Sequence, residues 1–260
     1  EDLMVMTPVF PECSVKINPL RYFKLEEELI QHVISSMPPS KEAFYENVAY
    51  EVTTSIVSAL VIQERANKRD PRVNFMDIKK NVDYTALRIL GEKVEYFKQY
   101  PDPAIRERVN DTVLTIRQMG HSPQDFFAKI SSSLRTVITT LTSSVTGDLI
   151  GKARENPLIE RLQDGKGVVF VCNTESILMP RSSHIINRIL VSMAVAIAGR
   201  RGAEGMTLAR PLCIYVDEGH NALFKGIEEL FGKGRSAGIY IHLFTQSKSD
   251  IENVVGESIA

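Results

Sequence analysis

Residues 212–250 read LCIYVDEGHNALFKGIEELFGKGRSAGIYIHLFTQSKSD. An apolar run, Leu212 to Val216, stops at the adjacent carboxylates Asp217 and Glu218, and a second run, Ile239 to Phe244, stops at Thr245 and Gln246. Short runs of this kind, rich in β-branched and aromatic side chains and bounded by turn residues, predict buried strands of a parallel sheet. Ligands of such sheets gather beyond the carboxyl ends of the strands. The stretch therefore predicts an α/β fold in which two strands deliver polar groups at their tips.

A carboxylate pair at a strand tip suits a magnesium-bound phosphate, because Mg²⁺ keeps most of its water and needs only one or two protein carboxylates. Asp217 is the candidate metal-holding acid, and Glu218 is placed to orient or deprotonate an attacking water. The same pair also fits an ordinary strand-to-helix junction, with Asp217 as a cap and Glu218 as a first-turn acid complementing the helix dipole. Between the two runs, GIEELFGKGRSAG (226–238) predicts a short helix and then a glycine-rich turn carrying Lys233 and Arg235. Arginine offers a planar fork of donors matched to phosphate, although a solvated basic turn is the plain alternative.

The order and spacing of these pieces, from Val216-Asp-Glu to Gln246, resemble the Walker B to motif III region of the type IV secretion coupling proteins. These form the TraD/TraG/TrwB family of conjugative ATPases, related to the FtsK and HerA motors. The resemblance implies a RecA/FtsK-like P-loop NTPase core that uses ATP and Mg²⁺. Asp217 and Glu218 match the Walker B acids, Gln246 the motif III glutamine that senses the γ-phosphate, and Arg235 an arginine finger offered to a neighbouring subunit. Asp217 and Gln246 would also bind the nucleotide, and Asp217 the metal. Gly165 to Asn173 resembles the family's preceding core strand, Ser183 to Arg200 its following helix, and Lys16-Ile-Asn18-Pro19-Leu20 its asparagine-proline element. Gly219-His220 departs from the bulky residue the family often carries after the acids. Gly256-Glu257 follows motif III without an assigned role.

One element of the family is missing. A phosphate-binding loop needs a glycine-rich turn running into a helix N-terminus, a lysine for the phosphates and a Ser/Thr hydroxyl for the metal. Gly147-Asp-Leu-Ile-Gly151-Lys152-Ala153 is one residue short between its glycines and ends in alanine, and Gly226 to Gly234 has the wrong spacing. The chain accordingly reads as an incomplete core, a piece that follows Walker A in its parent and binds nucleotide poorly alone.

Composition agrees with a folded protein: 260 residues, 43% apolar, are enough to bury a sizeable core. No uninterrupted apolar run approaches the roughly 20 residues of a membrane span, and Ala194 to Ala198 predicts a core helix. Cys13, Cys172 and Cys213 lack metal-ligand spacing and read as buried free thiols of a reducing compartment. A net charge of −1 gives no global drive toward nucleic acid. The local clusters Arg65 to Arg69, Lys79-Lys80 and Arg200-Arg201 read singly as solvated helix ends. Of the five histidines, only His220, two places past Glu218, is a candidate neighbour of the nucleotide.

The chain divides into residues 1–22, the start of a nucleotide-binding domain, residues 23–155, an inserted all-α domain, and residues 156–260, the nucleotide-binding domain continued. Within the helical part, Leu25, Leu29 and Val33 form one i, i+4 stripe and Val48, Val52, Ile56 and Leu60 the next, with Ser40 capping the second helix. Further helices are predicted over Tyr84–Tyr100, Pro103–Met119 and Pro123–Ser144. On the resemblance, the parent is a hexameric ATPase at the cytoplasmic face of the bacterial inner membrane, held there by an N-terminal segment outside this chain. It would pass single-stranded DNA with its relaxosome proteins to type IV secretion channel components. A HerA/FtsK-like double-stranded DNA translocase and a non-catalytic adaptor that recruits secretion substrates are the competing readings.

Overall fold

The computed structural model describes residues 2–38, 43–174 and 177–255. Four short strands form two parallel pairs. Strand β1 (Leu3–Met6) lies beside β2 (Val169–Cys172), with Met6 opposite Cys172, and β3 (Leu212–Val216) lies beside β4 (Ile239–Leu243), with Val216 opposite Leu243. Strands β2, β3 and β4 fall where the sequence places strands.

Between β1 and β2 every regular element among the described residues is helical: α1 (Glu26–Ser35), α2 (Ala43–Ala66), α3 (Phe75–Asn81), α4 (Tyr84–Glu95), α5 (Pro103–Met119), α6 (Gln124–Ile130), α7 (Ser132–Thr142), the single turn α8 (Ser144–Thr146), a π turn (Gly147–Gly151) and α9 (Pro157–Gln163). The long α10 (Pro180–Glu204) joins β2 to β3. A 3₁₀ turn (Gly219–Ala222), α11 (Glu228–Lys233) and a second 3₁₀ turn (Gly234–Ala237) join β3 to β4, and α12 (Lys248–Val255) follows. Residues Pro39 to Glu42, and with them the expected cap Ser40, lie outside the described residues, as do Gly256 and Glu257.

The helices follow the sequence where caps and periodicity agree. Asp102 accepts the amide of Ala104 and Pro103 opens α5, so that helix runs over its predicted span. In α1 the carboxylate of Glu28 closes back on the amides of Lys24 and Leu25. Leu25 itself is exposed, so the buried stripe begins at Leu29 and continues through Ile30 and Val33. The single helix expected over Pro123–Ser144 breaks at Ser131, whose backbone is no longer helical and whose hydroxyl donates to the carbonyl of Phe127. Two seven-residue helices, α3 and α9, were not predicted by periodicity; each is announced by an asparagine, Asn74 and Asn156, capping an amide of its first turn.

One expectation needs correction. The strands are half-buried, because each pair is covered on one face only: Leu212, Ile214 and Val216 turn inward while Cys213 and Tyr215 turn to solvent. Consequently the thiols are not all core residues. Cys13 and Cys213 are exposed, and only the half-buried Cys172 has its thiol pushed up, by burial, to about 12. Helix α10 is long and apolar enough to cross a membrane by length and composition, although 61% of its apolar window is buried within the protein. It behaves as the core helix expected, packing on α1, α11 and both 3₁₀ turns. It ends at Gly205, whose φ of 64° closes the helix in the left-handed conformation that glycine tolerates.

The two ends of the helical run are tied together at the buried Asn18. Its side-chain amide donates to the carbonyls of Val73 (2.9 Å) and Arg154 (3.4 Å), and its side-chain oxygen accepts from Leu20 (3.0 Å). Its own carbonyl accepts from the amide of Asn156 at 2.9 Å. The asparagine-proline element thus fixes where the chain leaves and rejoins the strand layer.

Candidate nucleotide site

Because β3 and β4 run parallel in register, their carboxyl ends emerge side by side. Backbone bonds hold the two exits together: Phe244 donates to Val216 at 2.9 Å, and Gly219 to Phe244 at 2.7 Å. A Cβ on Gly219 would stand 2.9 Å from the Cβ of Leu243, so a bulky residue cannot follow the acid pair here. The departure seen in the sequence is therefore a steric requirement of this turn.

Across this junction the amide Nε2 of Gln246 donates to Glu218 Oε1 at 2.8 Å, joining residues 28 positions apart. Glu218 itself has φ 49° and ψ 48°, a left-handed backbone that costs a non-glycine residue energy and that clusters at functional sites. Asp217 is exposed and its Oδ1 accepts the amide of Glu218 at 3.0 Å. Neither acid acts as the junction alternative requires: Glu218 occupies the cap position of the 3₁₀ turn without a side-chain capping bond, and no acid lies in that turn. His220 Nδ1 lies 3.6 Å from Glu218 Oε2 and 3.5 Å from the hydroxyl of Thr245. The site is thus Asp217, Glu218, His220, Thr245 and Gln246.

Arg235 is not among them. It lies in the 3₁₀ turn before β4, whereas Gln246 lies beyond its far end, a separation of about 17 Å along a five-residue strand. It is exposed and forms no ion pair among the described residues. Lys233, by contrast, closes α11 and is bound to Glu229.

Residue spacing does not announce the flank that α10 provides. Helix α10 packs on the 3₁₀ turn that follows the acids, and His184 in its first turns has its pKa lowered by burial and then by Arg188 and His220. At the tip of β2 the hydroxyls of Thr174 and Ser183 meet at 2.5 Å.

The glycine-lysine stretch that fails as a phosphate loop has a different purpose. Gly147 to Gly151 form the π turn, and a Cβ on either terminal glycine would lie 2.4 Å or 2.3 Å from the carbonyls of Thr142 and Leu141. Lys152 is bound to Asp148 at 2.8 Å and its amide to Gly147. These glycines serve close packing on the end of α7, and the lysine is already paired.

No protein-family model and no curated protein matches the sequence. Solved structures do match. TrwBΔN70, described as a bacterial conjugative coupling protein, superposes in its unbound monoclinic form with a TM-score of 0.63 over 99% of this chain, at 14% identity. The chain has the fold of a coupling protein. The TrwB complexes with the ATP analogue ADPNP and with ADP and Mg²⁺ give TM-scores of 0.59 and 0.58, again at 14% identity over 99% of the chain. The chain spans about half of these structures, 54% to 55% of their length. The likeness to the coupling proteins expected from the sequence is thus borne out at the level of fold.

Proposed function

We propose that this chain is the hydrolysis-sensing half of a conjugative coupling ATPase. The observation that carries the reading is the Glu218–Gln246 hydrogen bond across paired strand tips, set in a fold whose TrwB examples hold an ATP analogue, or ADP and Mg²⁺.

The donor set suits magnesium: an exposed carboxylate at the strand tip supplies a hard oxygen, and a largely hydrated ion asks for little more. Asp217 would hold the ion through water, and the ion would neutralise charge on the β- and γ-phosphates. Glu218 orients the attacking water and accepts its proton. Its strained backbone fixes the carboxylate at the strand tip, and Gln246, already bound to that carboxylate, couples its position to the presence of a terminal phosphate. Arg235, exposed at the opposite end of β4, acts on the nucleotide of a neighbouring subunit.

On this reading residues 23–155 are an inserted all-α domain, and residues 1–22 and 156–260 belong to the nucleotide-binding domain. The assembly is a hexamer at the inner membrane, anchored by an N-terminal segment. It delivers single-stranded DNA and relaxosome proteins to a type IV secretion channel. The test is Glu218→Gln in the complete gene product. Binding of ADPNP with Mg²⁺ should persist while ATP turnover falls by about 100-fold or more, as expected when a general base is removed. Turnover at the unsubstituted rate would remove Glu218 from this role.

A further inference from the structure

We propose that a groove at the C-terminal end of α10 binds the carboxyl terminus of a partner polypeptide whose last residue is bulky and apolar. The groove is independent of the nucleotide site: it lies about 24 Å along α10 from His184, at the opposite edge of the strands. The link Tyr22–Lys24, α9, the last turns of α10 and Leu208 enclose a cavity of about 410 Å³. That is within the range of roughly 300–1,000 Å³ that accommodates a specific ligand.

Its walls are apolar, formed by Ile159, Leu162, Ile197 and Leu208. Its charged groups do not balance. Glu204 is the one carboxylate on the lining, and Lys24 holds it at 2.9 Å. Arg200 is committed to Glu28 at 3.3 Å and to the carbonyl of Tyr22. That leaves Arg201, whose contact with the already bound Glu204 is a long 3.9 Å, while its side chain is only 24% exposed. The sequence reading of Arg200-Arg201 as a solvated helix end is corrected: both side chains are half-buried, Arg200 paired with Glu28 and Arg201 set against the groove.

A guanidinium in an apolar setting without a matched anion favours a carboxylate that can accept from its planar fork. One unmatched positive charge calls for a single negative one, which a carboxylate supplies and a phosphate exceeds. The neighbouring apolar walls hold one large side chain. A carboxylate adjoining an apolar side chain is the chemistry of a chain terminus, and capture of such termini is a recurring mode of peptide recognition. The link that roofs the groove is held in place at some cost, since Tyr22 adopts φ 67°.

Titration of the methyl-labelled chain with Gly-Ser-Gly-Leu bearing a free carboxylate, followed by NMR, tests this. The methyl resonances of Ile159, Leu162, Ile197 and Leu208 should shift saturably, and the C-terminal amide of the same peptide should bind at least about 10-fold more weakly. Arg201→Gln should abolish the difference between acid and amide, and Leu162→Trp, which fills the groove, should abolish both shifts; undisturbed methyl dispersion elsewhere shows that each variant is folded. Equal binding of acid and amide overturns the proposal. So does saturable binding of decanoate without binding of the peptide, which would make the groove a site for small amphipathic acids.

Discussion

His32 is enclosed between α1 and α10, with Nδ1 at 2.8 Å from the hydroxyl of Ser192. That hydroxyl donates to the carbonyl of Ile189, so it accepts from the ring, and the imidazole is neutral with its proton on Nδ1. Burial, reinforced by the positive charge of Arg200, lowers its pKa to about 3. The sign follows from linkage. Above the unfolded value near 6.5 both states are neutral and the full stability is present. As pH falls from there toward 3, the unfolded chain gains a proton that the folded chain refuses, and stability is lost by up to about 1.4 kcal/mol per pH unit. Urea unfolding between pH 7 and pH 4 should show this slope, and His32→Gln should flatten it. An unchanged slope in the variant would assign the acid sensitivity to other groups. At the same scale, the acid pair was legible in the sequence because two carboxylates end an apolar run. The left-handed backbone of Glu218 was not, since nothing in a residue's type announces that a glutamate accepts this strain.

At the scale of elements, glycine spacing misleads unless packing is known. Gly151 sits in the π turn against the end of α7, where a Cβ would lie 2.3 Å from the carbonyl of Leu141 and 2.9 Å from the Cα of Thr142. Backbone atoms cannot swing aside as a flexible side chain does. Gly151→Ala should therefore cost about 2–3 kcal/mol of unfolding free energy, the upper part of the range for overpacking. Gly199→Ala, in α10 with nothing within 4 Å of the added methyl, should be neutral or stabilising by up to about 1 kcal/mol. Melting temperatures of the two variants measure the contrast, and equal effects would discard the packing explanation. Long elements were legible because capping and periodicity reinforce each other, as in α5. The breaks between α6 and α7, and the existence of α3 and α9, were not, because seven residues hold fewer than two periods of a helix.

For the whole molecule, the decisive contacts join residues far apart in sequence. Asn18 reaches across separations of 55, 136 and 138 residues to Val73, Arg154 and Asn156. Asn18→Ala would leave buried carbonyls without donors, at about 1–3 kcal/mol for each group stranded. Unfolding free energy should fall by about 2–4 kcal/mol, and amide exchange should quicken at both Leu20 and the residues that precede α9. Faster exchange at one end alone would show that the residue does not bind the two ends to each other.

The sequence by itself determined the strand-helix order and the acid-ended and glutamine-ended strands, because hydrophobic period and polar termination are local properties of a chain, and its resemblance to the coupling proteins implied the fold. Only the tertiary structure decided which polar groups share a site. Parallel register brought Gln246 onto Glu218 and carried Arg235 to the other end of β4. One-sided packing turned Cys213 and Tyr215 outward, and the groove that α9 and α10 line together left Arg201 half-buried. Each of these depends on which surface another element covers, a quantity that no window of sequence contains.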